Sequence, residues 1–270
     1  MAIVNRTPDS FYDRGATFGW DRAVAAVERA VADGADIVDI GGVKAGPGVL
    51  VDVPEEIRRV VPFVAEIRAR FPDLVISVDT WRHEVGRLVC EEGADLLNDT
   101  WAGADPKLAE VAAEFGAGYV RTHTGGATPR TRPHRAAFGD VVAEVIEEVT
   151  RGAEALVRAG VPAEGILIDP THDFGKNTWH SLELTRRFGE LTRTGWPVLA
   201  SLSNKDFVGE SLAAAVSDRV LGSLAVTAVC AWEGAAVVRA HNIAETRELL
   251  DMVAVVQGRK VPAGVVRGLA

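Results

Sequence analysis

Leu74-Val75-Ile76-Ser77-Val78-Asp79-Thr80 is a short, apolar, β-branched run that stops at a carboxylate, and Trp81 directly after it opens a helical pattern. A buried parallel strand feeding its crossover helix has this form. Asp79 then sits at the carboxyl end of the strand, the edge at which α/β sheets carry their chemistry. Taken alone, Asp79 serves as well as a cap for the following helix. Recurrence of the pattern along the chain shifts the balance toward the first reading.

Upstream, Ala2-Ile3-Val4 ends at Asn5, and Ile37-Val38-Asp39-Ile40 ends in Gly41-Gly42. Downstream, Leu96-Leu97 runs into Asn98-Asp99, residues 118–122 end at His123, and residues 165–168 end at Asp169. Residues 196–201 reach Ser203 and Lys205, and residues 235–238 end at Arg239 and His241. Helical periodicity covers residues 21–32, 54–70, 81–92, 106–115, 138–159, 179–192, 210–232 and 244–256. Eight strand-like runs thus alternate with eight helix-like runs, which implies parallel βαβ units. Eight units predict an α/β fold of the closed (β/α)8 barrel type, one domain over residues 1–270, with its site at the carboxyl ends of the strands. A Gly-x-Gly-x-x-Gly fingerprint is missing after the first strand, which weakens a dinucleotide-binding alternative.

The composition agrees with a full globular core: 270 residues, 47% hydrophobic and 25% charged. That length suits a barrel of about 250 residues, and equally two small domains, but no linker or shift of composition divides the chain. A net charge of -9 argues against nucleic acid or an anionic membrane as partner. Cys90 and Cys230 sit in helical patterns without metal-ligand spacing, as expected of reduced, buried thiols. With no bilayer-spanning apolar run and no signal-peptide pattern, a cytoplasmic location is expected.

The residues at the strand ends are Asn5, Asp39, Asp79, Asn98, His123, Asp169, Lys205, Arg239 and His241. Each has a structural alternative, as a helix cap or an internal ion pair. Together they favour a polar ligand site with opposite charges converging on one mouth. Asp79, Asn98 and Asp169 suit a flat heterocycle whose edge carries ring N–H and amino donors, such as a 2-amino-4-oxo-pyrimidine. Lys205 suits its carbonyl oxygen or a ring nitrogen. Arg239, His241 and Asn5 supply donors for a phosphate or diphosphate. His123 and His241 lack zinc spacing, and a Mg²⁺ carried by a diphosphate fits the set better.

These residues resemble the dihydropteroate synthase family over nearly the whole chain. Asn5-Arg6-Thr7-Pro8-Asp9-Ser10-Phe11 is similar to the family's Asn-Val-Thr-Pro-Asp-Ser-Phe opening. Asp39-Ile40-Gly41-Gly42, Ser77-Val78-Asp79-Thr80 and Asn98-Asp99 follow in the family's order, as do Asp169-Pro170 with Phe174-Gly175-Lys176, Leu202-Ser203-x-Lys205-x-Phe207 and Arg239-x-His241. The resemblance implies a pterin pocket at Asp79, Asn98, Asp169 and Lys205, diphosphate contacts at Asn5, Arg239 and His241, and catalysis resting on Lys205, Arg239 and Asp79. It also implies Mg²⁺ at Asn5 with the diphosphate, and a homodimer. The family reaction condenses a hydroxymethyl-dihydropterin diphosphate with p-aminobenzoate, releasing pyrophosphate, on the way to folate.

The departures are localised. Where the family has Glu-Ser-Thr-Arg-Pro-Gly this chain has Val43-Lys44-Ala45-Gly46-Pro47-Gly48, so a threonine and an arginine become Ala45 and Gly46. The family's Ser-Arg-Lys-Ser is Ser203-Asn204-Lys205-Asp206, and its Gly-Ile-Gly is Thr171-His172-Asp173. Thr122 and Thr124 flank His123 where the family usually carries methionines. The losses cluster where p-aminobenzoate and diphosphate would sit, while the pterin floor is largely kept. The chain is similar to the divergent second copies of the family known in actinobacteria. A synthase homologue with weak or absent activity is the leading expectation. The alternatives are an active synthase, with Lys44, Arg130, Arg132 and Arg135 replacing the lost contacts, and a non-catalytic binder of pterins or phosphorylated metabolites.

Overall fold

A computed structural model describes residues 1–7, 19–131 and 137–267. The eight strands are β1 (Ala2–Asn5), β2 (Ile37–Gly41), β3 (Val75–Asp79), β4 (Leu96–Asp99), β5 (Gly118–Thr122), β6 (Ile166–Asp169), β7 (Leu199–Ser201) and β8 (Val237–Arg239). β1 to β6 form one parallel sheet in sequence order, and β7 pairs with β8. Two single bridges join the pieces, Ala2 to Ala240 and Ile168 to Val198. Every strand therefore has a neighbour on both sides, and the sheet closes into the expected (β/α)8 barrel with no free edge.

The β6–β7 seam is thin because Pro197 has no N–H to donate. Its carbonyl accepts from the Ile168 N–H at 3.0 Å, and regular pairing begins only at Leu199. The strand expected from Trp196 is shortened accordingly.

Ten α-helices lie among the described residues: α1 (Trp20–Ala32), α2 (Val53–Arg70), α3 (His83–Glu91), α4 (Lys107–Phe115), α5 (Val141–Arg158), α6 (Thr178–Arg186), α7 (Phe188–Thr192), α8 (Asp206–Leu212), α9 (Val220–Trp232) and α10 (Ile243–Val256). Two of the expected helices are broken. Residues 179–192 split at Arg187, whose guanidinium is drawn to Glu190, Asp140 and Glu183. Residues 210–232 divide because α8 ends at Ala213 in the left-handed region, φ 51°, and a 3-10 turn, Val216–Asp218, precedes α9. The first break coincides with a contact across 47 residues, Arg187 to Asp140, and the second with a left-handed residue, and periodicity registers neither.

Alternation along the strands separates two apolar layers. Leu96, Val120 and Leu199, with Ile37, Leu167, Val237 and Met1, fill the lower barrel. Residues of opposite parity, such as Val38, Ile40, Ile76, Val78, Leu97 and Ile168, pack against the helices. α2 shows how the outer layer is set: Asp52 caps it by accepting from the Glu55 N–H, and Val60, Phe63, Val64 and Ile67 form its buried face. α9 and α10 pack on each other, yet Leu221, Val229, Trp232, Met252 and Val256 on them stay exposed. No helix among the described residues is long and apolar enough to cross a membrane.

Candidate functional site

Strand parity and register bring the strand-end residues together above the apolar plug. Asn5 pairs with Gly41, Gly41 with Asp79, and Asp79 with Asn98, so these four stand side by side around the barrel. One step below, Ile3, Asp39 and Ser77 form the next row of the same parity. Gly41 leaves the floor open between two polar neighbours. A Cβ there would lie 3.7 Å from the Asp79 Cβ and 3.8 Å from Asn5 Oδ1.

Arg239 organises the acids. Its Nε donates to Asp39 Oδ2 at 2.6 Å and its Nη2 to Asp79 Oδ2 at 3.3 Å. Asp39 is fully buried and also accepts from Ser77 Oγ at 2.5 Å and Asn98 Nδ2 at 3.1 Å. Thr100 Oγ1 donates to Asp79 Oδ1 at 2.6 Å. Burial, then the nearby charge of Asp39, pushes the Asp79 carboxyl up to about 7, against the pull of Arg239. Ser77 and Thr100 were not singled out from the sequence. The alternation Ser77-Val78-Asp79 was the available signal, because it puts both polar side chains on one face.

Asp169 is buried, and its Oδ1 accepts from the Thr171 N–H at 2.6 Å. Burial raises its carboxyl above the usual range, while Lys205 pulls the other way. Burial likewise lowers the Lys205 ammonium, with Asp169 and Asp173 opposing. The Lys205 ammonium donates to the His172 carbonyl at 2.5 Å and lies over the Phe174 ring at 5.4 Å. Lys205 is thus held beside Asp169 and Asp173 by a backbone contact.

The Thr171-His172-Asp173 turn keeps a glycine-like backbone, with φ 50° at Thr171 and 70° at Asp173. Such angles are costly for a β-branched residue. The side chains tie the turn down in return. Thr171 Oγ1 accepts from the His123 N–H at 3.2 Å and donates to the Asp169 carbonyl at 2.9 Å. Asp173 accepts from the Phe207 N–H at 3.2 Å and from Ser181. Lys176 is buried beneath, donating to the carbonyls of His123, Thr171 and Phe174, and burial lowers its ammonium to about 7.

Other expectations need correction. His123 does not point into the mouth. It follows β5 with the parity of Tyr119 and Arg121, faces the helix layer, and places Nε2 3.3 Å from Glu148 on α5. Asp99 also faces outward, accepting from the Tyr119 hydroxyl and the Trp101 and Gly103 N–H groups. Asp206, next to Lys205 in the chain, pairs with Arg219 at 2.9 Å. His241 reaches Ser203 Oγ through Nδ1 at 3.0 Å and through its N–H at 3.2 Å. Arg239 bonds acids deep in the barrel, alongside the pterin-type acceptors with which it was not grouped.

The loop of residues 43–50 is strapped from across the mouth. Arg130 Nη1 donates to the Val49 carbonyl at 2.7 Å, and Nε approaches the Gly46 carbonyl at 3.4 Å. Lys44 is half-buried and makes no hydrogen bond or ion pair among the described residues. Residues 8–11 of the opening motif, together with Arg132 and Arg135, lie outside the described residues.

For a divalent ion the mouth offers Asn5 Oδ1 beside the Gly41 gap. One neutral oxygen suits a Mg²⁺ brought in by phosphates rather than an all-protein cage. His83, Glu84 and Asp105 form a separate cluster of ligand-type groups. There Asp105 is occupied with the N-terminus of α3, accepting from the His83 N–H at 2.9 Å and meeting His83 Nδ1 at 2.7 Å.

Comparison with known proteins agrees with this geometry. Residues 1–241 match the family of pterin binding enzymes. The "Inactive dihydropteroate synthase 2" of Mycobacterium leprae is 60% identical over 274 aligned positions, covering 100% of this chain and 94% of the relative. The dihydropteroate synthase of Escherichia coli is 37% identical, covering 94% and 89%. The structure of Yersinia pestis dihydropteroate synthase with a sulfonamide drug superposes with a TM-score of 0.91 at 34% identity, covering 96% of this chain and 94% of that one. The barrel, its ring of polar strand ends and these matches together make the chain a member of the dihydropteroate synthase family of pterin-binding enzymes.

Proposed function

We propose that the barrel mouth binds a pterin-type ring and that this chain condenses it with p-aminobenzoate poorly or not at all. The observation that carries the binding half is the convergence of Asp79, Asn98, Asp169 and Lys205 on one end of the barrel. Two carboxylates accept from the ring and amino N–H groups, Asn98 adds one donor and one acceptor, and Lys205 meets the ring carbonyl or a ring nitrogen. Arg239, His241 and Asn5 would meet the phosphate-bearing end. To serve a diphosphate, Arg239 has to trade its 3.3 Å contact with Asp79 for the ligand, and ring donors then satisfy the released carboxylate. A Mg²⁺ carried with the diphosphate would sit on Asn5 Oδ1 and supply charge neutralisation to the leaving group.

The catalytic half is argued from the loop of residues 43–50. As pyrophosphate leaves, negative charge builds up, and cations placed at that point stabilise the transition state more than the ground state. Position 46 is a glycine whose carbonyl faces Arg130, so the cation that the family resemblance places there is missing. Removing one positioned stabiliser costs about 2.7–4 kcal/mol, roughly 100- to 1,000-fold in rate. The 60% identity to a relative named inactive supports the same reading. Steady-state assays with both substrates and Mg²⁺, paired with calorimetric titration of the pterin, test it. The expected outcome is measurable pterin binding with turnover lower than that of the Escherichia coli enzyme by about 100-fold or more. Equal turnover overturns the catalytic half, and no pterin binding overturns the other. The exposed apolar residues on α9 and α10 support a homodimer through that face.

A further inference from the structure

The outer flank of the barrel carries a second polar centre. Arg121 is on β5 with its side chain directed into the layer between sheet and helices, in register with Asp99 and Ile168. That layer is otherwise built largely of apolar residues. Its side chain is only 16% exposed, yet among the described residues its guanidinium donates no hydrogen bond. Nε is buried and unpartnered. The nearest charge, Glu148 Oε1, is 3.8 Å from Nη2, and the other Glu148 oxygen is 3.3 Å from His123 Nε2. Asp99 gives Arg121 no hydrogen bond, because its oxygens accept from Tyr119, Trp101 and Gly103.

Two glycines hold space open around this group. A Cβ on Gly103 would lie 2.8 Å from Arg121 Nη1, and one on Gly152 of α5 would run into Nε. Beside the guanidinium, between α4 and α5, is a cleft of about 330 Å³ whose apolar wall includes Pro106, Ala109 and Leu156, with the charged side chains of Glu148 and Arg151 also lining it. That volume is in the range of small-molecule pockets. A guanidinium buried without hydrogen bonds is costly, and a planar or tetrahedral oxyanion is what its fork of donors satisfies.

We propose that this cleft is a ligand site separate from the barrel mouth, taking a small carboxylate or phosphate whose anionic end rests on Arg121 and whose apolar body lies against Pro106, Ala109 and Leu156. Arg151 in the lining adds positive charge, although its own Nη1 is shared with Glu147 at 3.1 Å, and the Glu148 carboxylate in the same lining is drawn toward His123 at 3.3 Å.

Amide chemical-shift mapping on the full chain tests the site, with benzoate and phenyl phosphate as separate probes for the two oxyanions. The expected result is a shift of the Gly103 and Gly152 amides by at least one probe, with a dissociation constant of about 1 mM or tighter. Arg121→Met should abolish those shifts while leaving any shifts at Gly41 and Asp79 in the mouth. Ala109→Phe keeps Arg121 and fills the cleft, so it should abolish the same shifts and serves if Arg121→Met does not fold. Silence of Gly103 and Gly152 with both probes, shifts confined to the mouth, or shifts that survive either substitution overturn the proposal.

Discussion

At the scale of single residues, the mouth is a charge problem handled by Arg239. Asp39 is fully buried and Asp79 half-buried, and two ionised carboxylates this close repel each other strongly in a poorly solvated site. Arg239 bridges them, and Ser77, Asn98 and Thr100 supply further donors. The balance still leaves Asp79 raised from 3.8 to about 7. The folded state therefore holds a proton there that the unfolded chain releases, so the contribution of Asp79 to stability is present below about 3.8 and is lost as pH rises through about 7. Urea unfolding should show wild-type stability falling between about pH 4 and pH 7 from this group, with a shallower fall in Asp79→Asn. Identical pH slopes in the two proteins would show that the buried acid pair does not titrate in this way.

At the scale of elements, the site depends on loops that fasten one another. The segment after β5 reaches over to the β2 loop and grips it through Arg130, itself in the left-handed region at φ 62°. From below, buried Glu56 on α2 pairs with Arg82 at 2.7 Å, and Arg82 also donates to the Val51 carbonyl. Arg130→Ala frees the Val49 and Gly46 carbonyls at a cost of about 1 kcal/mol, a loss confined to the strap. Limited proteolysis should then cut within residues 44–50 or 124–131 several times faster, with the midpoint of global unfolding changed little. Unchanged cleavage would mean that the loop stays closed for another reason.

For the whole molecule, closure of the barrel leaves no sheet edge for association. Several apolar side chains stay exposed, Leu50 and Trp179 among them, and the last two helices carry a group of them, with Leu221 at 80%, Trp232 at 53% and Met252 at 56% exposure. Patches of this kind mark contact surfaces in soluble proteins. If a homodimer uses this face, Trp232→Glu should lower the mass measured by light scattering to that of one 28.7 kDa chain, with the circular dichroism spectrum retained. A dimer that persists in this variant moves the interface elsewhere.

The short apolar runs that carry Asn5, Asp39, Asp79, Asn98, Asp169 and Arg239 at or near their carboxyl ends determined the barrel by themselves, because strand periodicity and alternation with helices are local properties of the chain. They also determined which polar residues gather at one end, since parity and strand direction follow from the same pattern. Tertiary structure decided the pairing. Arg239 and Asp39 meet across 200 residues of chain, and no local pattern says that the guanidinium turns down to two acids. It decided that His123 belongs to α5, because the strand ends one residue earlier and parity carries the imidazole outward. It also decided where one helix breaks, at Arg187, whose partner Asp140 lies outside any window of periodicity. Hydrophobic patterning is written residue by residue, whereas the partner of a buried charge is set by which distant side chains closure of the barrel brings within reach.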